Sequence, residues 1–230
     1  MTSTSQFRDP ADLAGILGVS IPPELLEQAL THRSFAYEHG SSHYERLEFL
    51  GDAILQQVVT LELYERFRDL PEGELAKRRA ALVSTVALAE IARRIELGPF
   101  IRLGNGEIST GGHDKSSLLA DVVESIIGAA YLSLGQAAAT ELVIRLVGPL
   151  FDQADRFGTS MDPKTALQEL ADRDGMGKPV YDVTAEGPDH ARIFNATVST
   201  NGVALGDGSG SSKKLAEANA ALAALAKLSQ

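Results

Sequence analysis

The chain carries at residues 43–55 the stretch HYERLEFLGDAIL. Its three acids, Glu45, Glu48 and Asp52, are spaced i, i+3 and i+7. Because an α-helix turns by about 100° per residue, this spacing places the three carboxylates on one face. Leucines and isoleucines at other positions of the same stretch form an apolar stripe on a different face. The stretch therefore predicts a long helix, over about residues 43–67, that buries one face and lines another with carboxylates.

A second pair of acids lies in the apolar segment LADVVESIIG, residues 119–128. Asp121 and Glu124 are one helical turn apart, in a segment whose composition is typical of a buried helix. Two carboxylates held about 4 Å apart repel each other by roughly 4 kcal/mol at an effective dielectric constant near 20. A fold retains such a cluster when a cation compensates the charge, so the two sets of acids together indicate a candidate metal site.

The residue types near the acids indicate which cation would suit them. Carboxylate oxygens are hard ligands, the chain contains no cysteine, and no adjacent histidine pair accompanies the acids. These features favour Mg²⁺ or Mn²⁺ over Zn²⁺. Spacing alone leaves open the alternative of a solvated acidic surface, as expected for Glu62 and Arg66, whose i, i+4 spacing predicts an ordinary ion pair on a helix.

The eight residues ERLEFLGD, at 45–52, resemble the signature stretch of bacterial ribonuclease III, an endonuclease that cuts double-stranded RNA. Further parts of that family's pattern follow the same order along the chain: LTHRS at 30–34, EGEL at 72–75, GG at 111–112 with KS at 115–116, and ADVVESIIG at 120–128. The resemblance covers about residues 10–228. One position departs from the pattern, because Tyr44 stands where the family usually has Asn.

The resemblance implies an active site and a reaction. It implies Mg²⁺ as the cofactor, with Mn²⁺ as a substitute, held by Glu48, Asp52, Asp121 and Glu124. The implied catalytic residues are Asp52 and Glu124, with Glu45 as an outer acid and Glu72 as an acid that approaches the scissile strand. The implied reaction is hydrolysis of double-stranded RNA by a homodimer during rRNA and mRNA processing, leaving 5′-phosphate and 3′-hydroxyl ends with short 3′ overhangs.

The pattern of the chain changes after about residue 161. Asp162 followed by Pro163 predicts the start of a helix, and alternating residues then predict strands at 180–185 and 191–199. An Asn-Gly turn precedes a third strand, and two serines cap a last helix. The order α-β-β-β-α resembles a double-stranded-RNA-binding domain, most specifically in GDGSGSSKKLAE at 206–217. The resemblance implies RNA contacts by Gln168, His190, Lys213 and Lys214.

These patterns predict a multidomain protein, with an all-α catalytic domain followed by a small α+β domain. No strand-like alternation occurs before about residue 150, where the long periodic segments predict helices at 43–67, 72–94, 116–134 and 136–151. The predicted domains are residues 1–152 and 162–230, joined by a short, polar, irregular linker at 153–161. Glycine-containing segments such as Gly206-Asp207-Gly208 lack the setting of a nucleotide-binding loop and are interpreted as turns.

Composition constrains the partners and the compartment. The net charge of −10 opposes nucleic-acid binding, and the segment from Asp162 to Gln230 still carries nine acids against seven bases. Affinity for RNA must therefore come from local basic clusters and from bound divalent metal. The absence of cysteine fits a reducing cytosol, and neither a secretory signal nor an apolar run of about 20 residues is visible. We therefore expect a cytoplasmic protein without a membrane span.

Two other functions fit part of the sequence. A non-catalytic, dimeric double-stranded-RNA-binding protein would use the helical domain only as a scaffold, and the loss of one of the four acids would favour it. All four acids are present. A metal-dependent phosphohydrolase acting on small nucleotides would explain the acids, but it leaves the C-terminal domain without a role.

Overall fold

The acid-rich stretch forms a 22-residue helix, Glu45–Arg66, close to the predicted limits. The computed structural model describes residues 7–188 and 192–228. The chain divides between Phe157 and Gly158 into two units, and the long helix lies in the first. The described residues of this unit form helices and turns, apart from an isolated bridge between Thr31 and Arg102, so the predicted all-α class is confirmed.

Short helices surround two long ones in the first unit. The helices that lie wholly in this unit are α1 (Leu13–Leu17), α2 (Pro23–Ala29), α3 (Arg33–His39), α4 (Glu45–Arg66), α5 (Glu72–Leu82), α6 (Thr85–Arg94), α7 (Asn105–Ser109) and α8 (Ser116–Val147). Helix α9 (Ala154–Met161) begins in this unit and contains the division between Phe157 and Gly158. Helix α8 is interrupted at Gly135, whose φ of 84° is outside the helical range. The long segment predicted at 72–94 is two helices, because the Ser84 hydroxyl accepts a hydrogen bond from the Ala87 N–H and so caps α6.

Two glycines allow α4 and α8 to pack against each other backbone to backbone. A Cβ atom added at Gly51 of α4 would lie 1.8 Å from the carbonyl oxygen of Glu124. A Cβ atom added at Gly128 of α8 would lie 2.2 Å from the carbonyl oxygen of Leu47. Any larger residue at either position would force the helices apart. The two helices are thus in backbone contact beside Asp52 of α4 and Glu124 of α8.

Half of the residues of α8, 16 of 32, are buried. From Ser116 through Gln153, the helical segment is long and apolar enough to cross a membrane by length and composition, which the search for an apolar run in the sequence missed. Buried core helices of soluble proteins also satisfy that criterion, and apolar residues of α8, such as Val122 and Ile126, belong to the same buried cluster as α4.

The predicted linker at 153–161 is wrong in its secondary structure. The segment begins in a 3₁₀ turn that ends at Gln153 and continues as helix α9. Ala154 and Phe157 are buried in the core of the first unit. These two residues are three positions apart, the spacing that places side chains on one helix face, and their burial gives this short polar segment a defined structure.

The second unit has the predicted α-β-β-β-α order. Helix α10 (Pro163–Arg173) precedes an antiparallel sheet of β1 (Val180–Glu186), β2 (Ile193–Thr200) and β3 (Val203–Gly210), in the order β1-β2-β3, and helix α11 (Lys213–Leu228) follows. The Asp162 carboxylate caps α10 by accepting a hydrogen bond from the Thr165 N–H. Leu167, Val198 and four alanines of α11 lie in its core.

Glycines at alternate positions of β3 bring the strand against α11. Added Cβ atoms at Gly206 and Gly208 would lie 2.5 Å from the Ala224 nitrogen and 2.2 Å from the Ala220 nitrogen. The segment 206–208, interpreted from the sequence as a turn, is therefore strand. Gly206 and Gly208 lie on the face of β3 that packs against α11, and a larger side chain there would collide with the α11 backbone.

Candidate functional site

The crossing of α4 and α8 brings the four predicted metal-ligand acids into one neighbourhood. Glu48 and Asp52 belong to α4, and the helix packs through Gly51 against the backbone of α8 at Glu124. Asp121 and Glu124 lie one turn apart on α8. The negative charges of these acids act on one another, so the structure unites two sets that are about 70 residues apart in the sequence.

Glu124 has the most perturbed carboxyl group of the four acids. Burial and the charges of the other three acids raise the pKa of Glu124 to about 8, and burial is the largest cause. Each effect disfavours the ionised form, burial by removing water and the neighbours by like-charge repulsion. Without a compensating cation, this carboxylate is costly to ionise.

Glu48 and Asp121 experience the same two effects more weakly. Burial raises the pKa of Glu48, and the charge of Asp121 adds to the shift. Burial also raises the pKa of Asp121, while a hydrogen bond from Tyr44 opposes that increase. The cluster therefore combines acids that repel one another with at least one donor that stabilises an ionised carboxylate.

The carboxylates do not converge on a common point. Among the described residues, no group of three or more His, Asp or Glu side chains is arranged to hold a metal ion. The side chain of Asp52 accepts hydrogen bonds of 2.9 and 3.1 Å from the Gln56 amide instead. Asp121 accepts one of 3.4 Å from the Tyr44 hydroxyl. Mutual repulsion favours such separate partners, so the assignment of the four acids as metal ligands stays a prediction.

The chemistry of this donor set nevertheless fits a hard divalent cation. All four groups are carboxylates, they come from two helices held rigidly at Gly51 and Gly128, and their repulsion would be relieved by positive charge. Mg²⁺ prefers oxygen ligands of this kind, with water completing its coordination. The contact of α4 and α8 at Gly51 fixes the backbone from which Asp52 and Glu124 extend.

A pocket of about 560 Å³ lies beside the acids, and its walls are strongly polar. Glu45, Glu48 and Asp121 line it together with Arg33 and Lys115. The Glu45 carboxylate is 3.5 Å from the Arg33 guanidinium and 3.7 Å from the His43 ring. The Lys115 ammonium lies 2.6 Å from Glu107. The pocket thus pairs the acid cluster with cations at its edge.

Glu72 is placed differently from the other predicted catalytic residues. It is the first residue of α5, exposed to solvent, and it does not line the pocket beside the acids. The position fits an acid that stabilises the N-terminus of a helix through the helix dipole. The role implied for Glu72 at the scissile strand stays a prediction.

The predicted RNA contacts belong to the second unit. Lys213 and Lys214 are exposed in the first turn of α11, where the Ser212 hydroxyl accepts a hydrogen bond from the Leu215 N–H. Gln168, on α10, is partly exposed and its amide donates to Asp172 at 2.8 Å. His190 lies outside the described residues. The two lysines thus add charge to a helix N-terminus, which already favours phosphate.

Sequence reasoning missed the residues that arrange the acids. Gly51 and Gly128 set the spacing of the two helices, and each stands within one or two helical turns of the acids. Tyr44 was identified only as a departure from the family pattern, yet its hydroxyl contacts Asp121. An available signal was the occurrence of a glycine within each acid-bearing helical segment, where glycine is unfavourable unless close packing requires it.

The raised pKa of Glu124 predicts how stability depends on pH when no metal is added. Because its pKa is higher in the folded protein than the ordinary value of 4.5, the metal-free protein should lose stability as the pH rises from about 4.5 to about 8. Glu124→Gln removes this loss. After allowance for screening by water, we expect Glu124→Gln to be more stable than wild type by about 1–2 kcal/mol at pH 8 and by less at pH 5.

Urea unfolding in EDTA at both pH values measures this difference. Glu141→Gln, the same chemical change at an exposed position of α8, is the matched control and should follow the wild type. An equal stability difference between wild type and Glu124→Gln at the two pH values would show that ionisation of Glu124 does not destabilise the fold.

Comparison with known families matches both units. Residues 22–150 match the family described as Ribonuclease-III-like, and residues 163–228 match the double-stranded RNA binding motif. Among solved structures, the nuclease domain of a ribonuclease III from Campylobacter jejuni aligns with a TM-score of 0.56 and 42% identity. The alignment covers 60% of this chain and 94% of that one. That structure is described by its flexibility in a region involved in dimer formation.

Curated relatives match over nearly the whole chain. A protein named Ribonuclease 3 from Leifsonia xyli is 58% identical, and the alignment covers 94% of this chain and 92% of the relative. Ribonuclease 3 from Streptomyces coelicolor is 54% identical over 91% of this chain and 76% of the relative. The segment that matches the Ribonuclease-III-like family is the helical first unit, and the segment that matches the double-stranded RNA binding motif is the α-β-β-β-α second unit.

Proposed function

Because this chain belongs to the ribonuclease III family of endoribonucleases, we propose that it hydrolyses double-stranded RNA with a divalent metal held by Glu48, Asp52, Asp121 and Glu124. Mg²⁺ is the proposed metal, and Mn²⁺ is expected to substitute for it. The proposed products carry 5′-phosphate and 3′-hydroxyl ends with short 3′ overhangs. The proposed setting is the cytoplasm, in the processing of rRNA and mRNA.

The observation that carries this proposal is that two closely packed helices place four carboxylates near enough for their charges to act on one another. A cluster of this kind is repulsive in the metal-free protein, as the raised pKa of Glu124 indicates. Two divalent cations would about neutralise four negative charges and allow an anionic phosphate to approach. If the four acids only stabilised the fold, their mutual repulsion would be unexplained, because burial of uncompensated like charges destabilises a fold.

Each part of the site has a chemical task in this proposal. A bound divalent cation supplies Lewis acidity, which activates water for attack on phosphorus and stabilises the charge of the leaving oxygen. The four acids hold and orient that cation, and the glycine crossing fixes their separation. Glu45, which is paired with Arg33 and lines the pocket, would orient the strand or its water. Glu72 would approach the strand from the start of α5.

Product ends test the proposed chemistry. A long duplex RNA and one of its strands alone should be incubated with the protein in Mg²⁺. We expect rapid cleavage of the duplex alone, with fragments that carry 5′-phosphates and 3′-hydroxyls. Fragments with 5′-hydroxyl ends would contradict the proposal, because they would show that the P–O5′ bond breaks instead of the P–O3′ bond.

The proposed RNA-binding surface of the second unit centres on the start of α11. Lys213 and Lys214 add two positive charges where the helix dipole and backbone N–H groups already favour phosphate. Gln168 lies on the neighbouring helix of the unit and would contact the minor groove, where 2′-hydroxyls distinguish RNA from DNA. A minor-groove contact is proposed for His190 only from the resemblance of its segment to double-stranded-RNA-binding domains.

Replacing Lys213 and Lys214 together with Ala should weaken duplex-RNA binding with little effect on the cleavage rate of bound RNA. Loss of two phosphate contacts should reduce the slope of log K against log salt by up to about 2. Lys227→Ala, at the other end of α11, is the control and should leave the slope unchanged. Gel-shift titrations at several salt concentrations measure the slope. An unchanged slope in the double variant would show that these lysines do not contact the backbone.

We further propose that the active species is a homodimer. A single acid cluster serves one scissile bond at a time, whereas cleavage of both strands needs two clusters, which a two-fold dimer supplies. Phe49 is 82% exposed on α4, directly after the acid Glu48, and Leu61 and Tyr64 of the same helix are also exposed. Large exposed apolar side chains of this kind mark a surface that a partner could cover.

A mixed dimer of one wild-type chain and one Glu124→Gln chain tests this assembly. Given a labelled duplex, it should nick one strand per binding event, because one of its two clusters is inactive. The wild-type homodimer is the control and should cut both strands. Efficient cutting of both strands by a species that sediments as a monomer under assay conditions would exclude the dimer.

A further inference from the structure

Tyr44 immediately precedes the first acid of the signature stretch, and the structure shows it as a buried residue. The residue is 2% exposed. Its backbone N–H donates to the carbonyl of Thr31 at 3.0 Å, and its own carbonyl accepts from Glu48 N–H at 3.0 Å, which fixes it at the start of α4. The ring of His32 lies beside its ring, with centroids 5.7 Å apart. Tyr44 is therefore held in place by its surroundings.

The hydroxyl of this fixed side chain is directed at the acid cluster. It donates a hydrogen bond of 3.4 Å to Oδ2 of Asp121, so it links the start of α4 to the acid-bearing turn of α8. Tyr44 and Asp121 also line the same pocket. A phenol anchored at its backbone and its ring is a donor whose position is set before any ligand binds.

The Tyr44 hydroxyl is an uncharged donor, and this matters for a carboxylate that is proposed to bind a metal. A cationic partner would cancel part of the negative charge that attracts a metal, as Arg33 does for the outer acid Glu45. Tyr44 donates a hydrogen bond to Asp121 without contributing charge, and the Gln56 amide does the same for Asp52. Neutral donors thus contact two of the proposed ligands, and a cation contacts the acid assigned outside the ligand set.

We propose that Tyr44 is a positioning residue for the metal site, which orients the Asp121 carboxylate for the divalent cation. This inference rests on the proposed function, because it assigns Asp121 as a ligand. It gives a role to the residue at which the chain departs from its family's usual Asn. A hydroxyl carried on a phenyl ring spans the distance from α4 to α8, and the packed ring prevents it from turning away.

Tyr44→Phe tests the proposal, because it keeps the buried ring and removes only the hydroxyl. Mn²⁺ binding to the full-length protein without RNA should be measured from the electron paramagnetic resonance signal of free Mn²⁺. We expect Tyr44→Phe to bind Mn²⁺ about tenfold more weakly than wild type, a size typical for loss of a group that orients a metal ligand. The unfolding midpoint in EDTA should be unchanged. In cleavage assays, a higher Mg²⁺ concentration should restore the wild-type maximal rate.

Tyr131→Phe, which removes a hydroxyl from a partly buried tyrosine of α8, is the matched control and should bind Mn²⁺ like wild type. Equal Mn²⁺ affinity of Tyr44→Phe and wild type would overturn the inference while leaving the proposed function intact. Equal weakening by both tyrosine variants, or a lower unfolding midpoint of Tyr44→Phe, would also overturn it, because the effect would then be general packing. Failure of the wild type itself to bind Mn²⁺ would overturn the proposed function as well.

Discussion

Glu124→Gln should reduce the cleavage of duplex RNA by at least about a thousandfold while leaving duplex binding nearly intact. The amide has almost the volume of the carboxylate, but it removes the negative charge of a proposed ligand whose pKa burial raises. Loss of a group that acts directly on the transition state typically costs a factor of about 10² to 10³ or more. The substitution leaves the proposed RNA-binding surface of the second unit unchanged, so the cleavage rate should fall while the affinity for duplex RNA should not.

Single-turnover cleavage and gel-shift affinity, measured on the same preparations, separate the two effects. Glu141→Gln makes the same chemical change at an exposed position of α8 and should cleave at the wild-type rate. A wild-type cleavage rate for Glu124→Gln at saturating Mg²⁺ would remove Glu124 from the mechanism.

Gly51→Ala should destabilise the protein by about 3 kcal/mol and reduce the cleavage rate by about a hundredfold. The added methyl would lie 1.8 Å from the carbonyl oxygen of Glu124, so α4 and α8 must move apart. Overpacking of this kind typically costs 1–3 kcal/mol, or more where backbone atoms collide, hence our estimate of about 3 kcal/mol. A displacement of about 1 Å between catalytic groups can cost a factor of about 100 in rate.

Urea unfolding and single-turnover cleavage measure the two consequences of this substitution. Gly15→Ala is the matched control, because its added methyl in α1 meets no atom within 4 Å. It should be slightly more stable than wild type, since Ala favours helix over Gly by up to about 1 kcal/mol. Wild-type stability of Gly51→Ala would mean that the two helices tolerate a wider separation than their packing indicates.

The sequence was sufficient to predict those elements in which one pattern dominates. The period of apolar residues predicted both ends of α4 to within about two residues. Asp162 correctly predicted the start of α10, because a capping residue forms hydrogen bonds with residues close to it in the sequence. The same reasoning placed three acids of the signature stretch on α4 and two acids on α8. Each of these features depends on neighbours along the chain, and such neighbours are visible in a single sequence.

The features that the sequence did not predict depend on contacts between distant segments. The glycines of β3 resembled a turn until α11 was seen to pack on them, and the short segment at 153–161 resembled a linker until Phe157 was seen in the core. The Gly51–Gly128 crossing and the bond from Tyr44 to Asp121 likewise join residues far apart in sequence. The arrangement of the acids therefore required the structure, although their identity did not.

The dependence of duplex-RNA cleavage on added metal tests most directly whether the four acids act through a divalent cation. The protein should be stripped with EDTA, returned to a metal-free buffer and titrated with Mg²⁺ while the single-turnover rate is followed on a long duplex. We expect no cleavage before Mg²⁺ is added and full recovery at saturation. Cleavage at the wild-type rate in the continued presence of EDTA would contradict the account, because the carboxylates would then act without the cation they are proposed to hold.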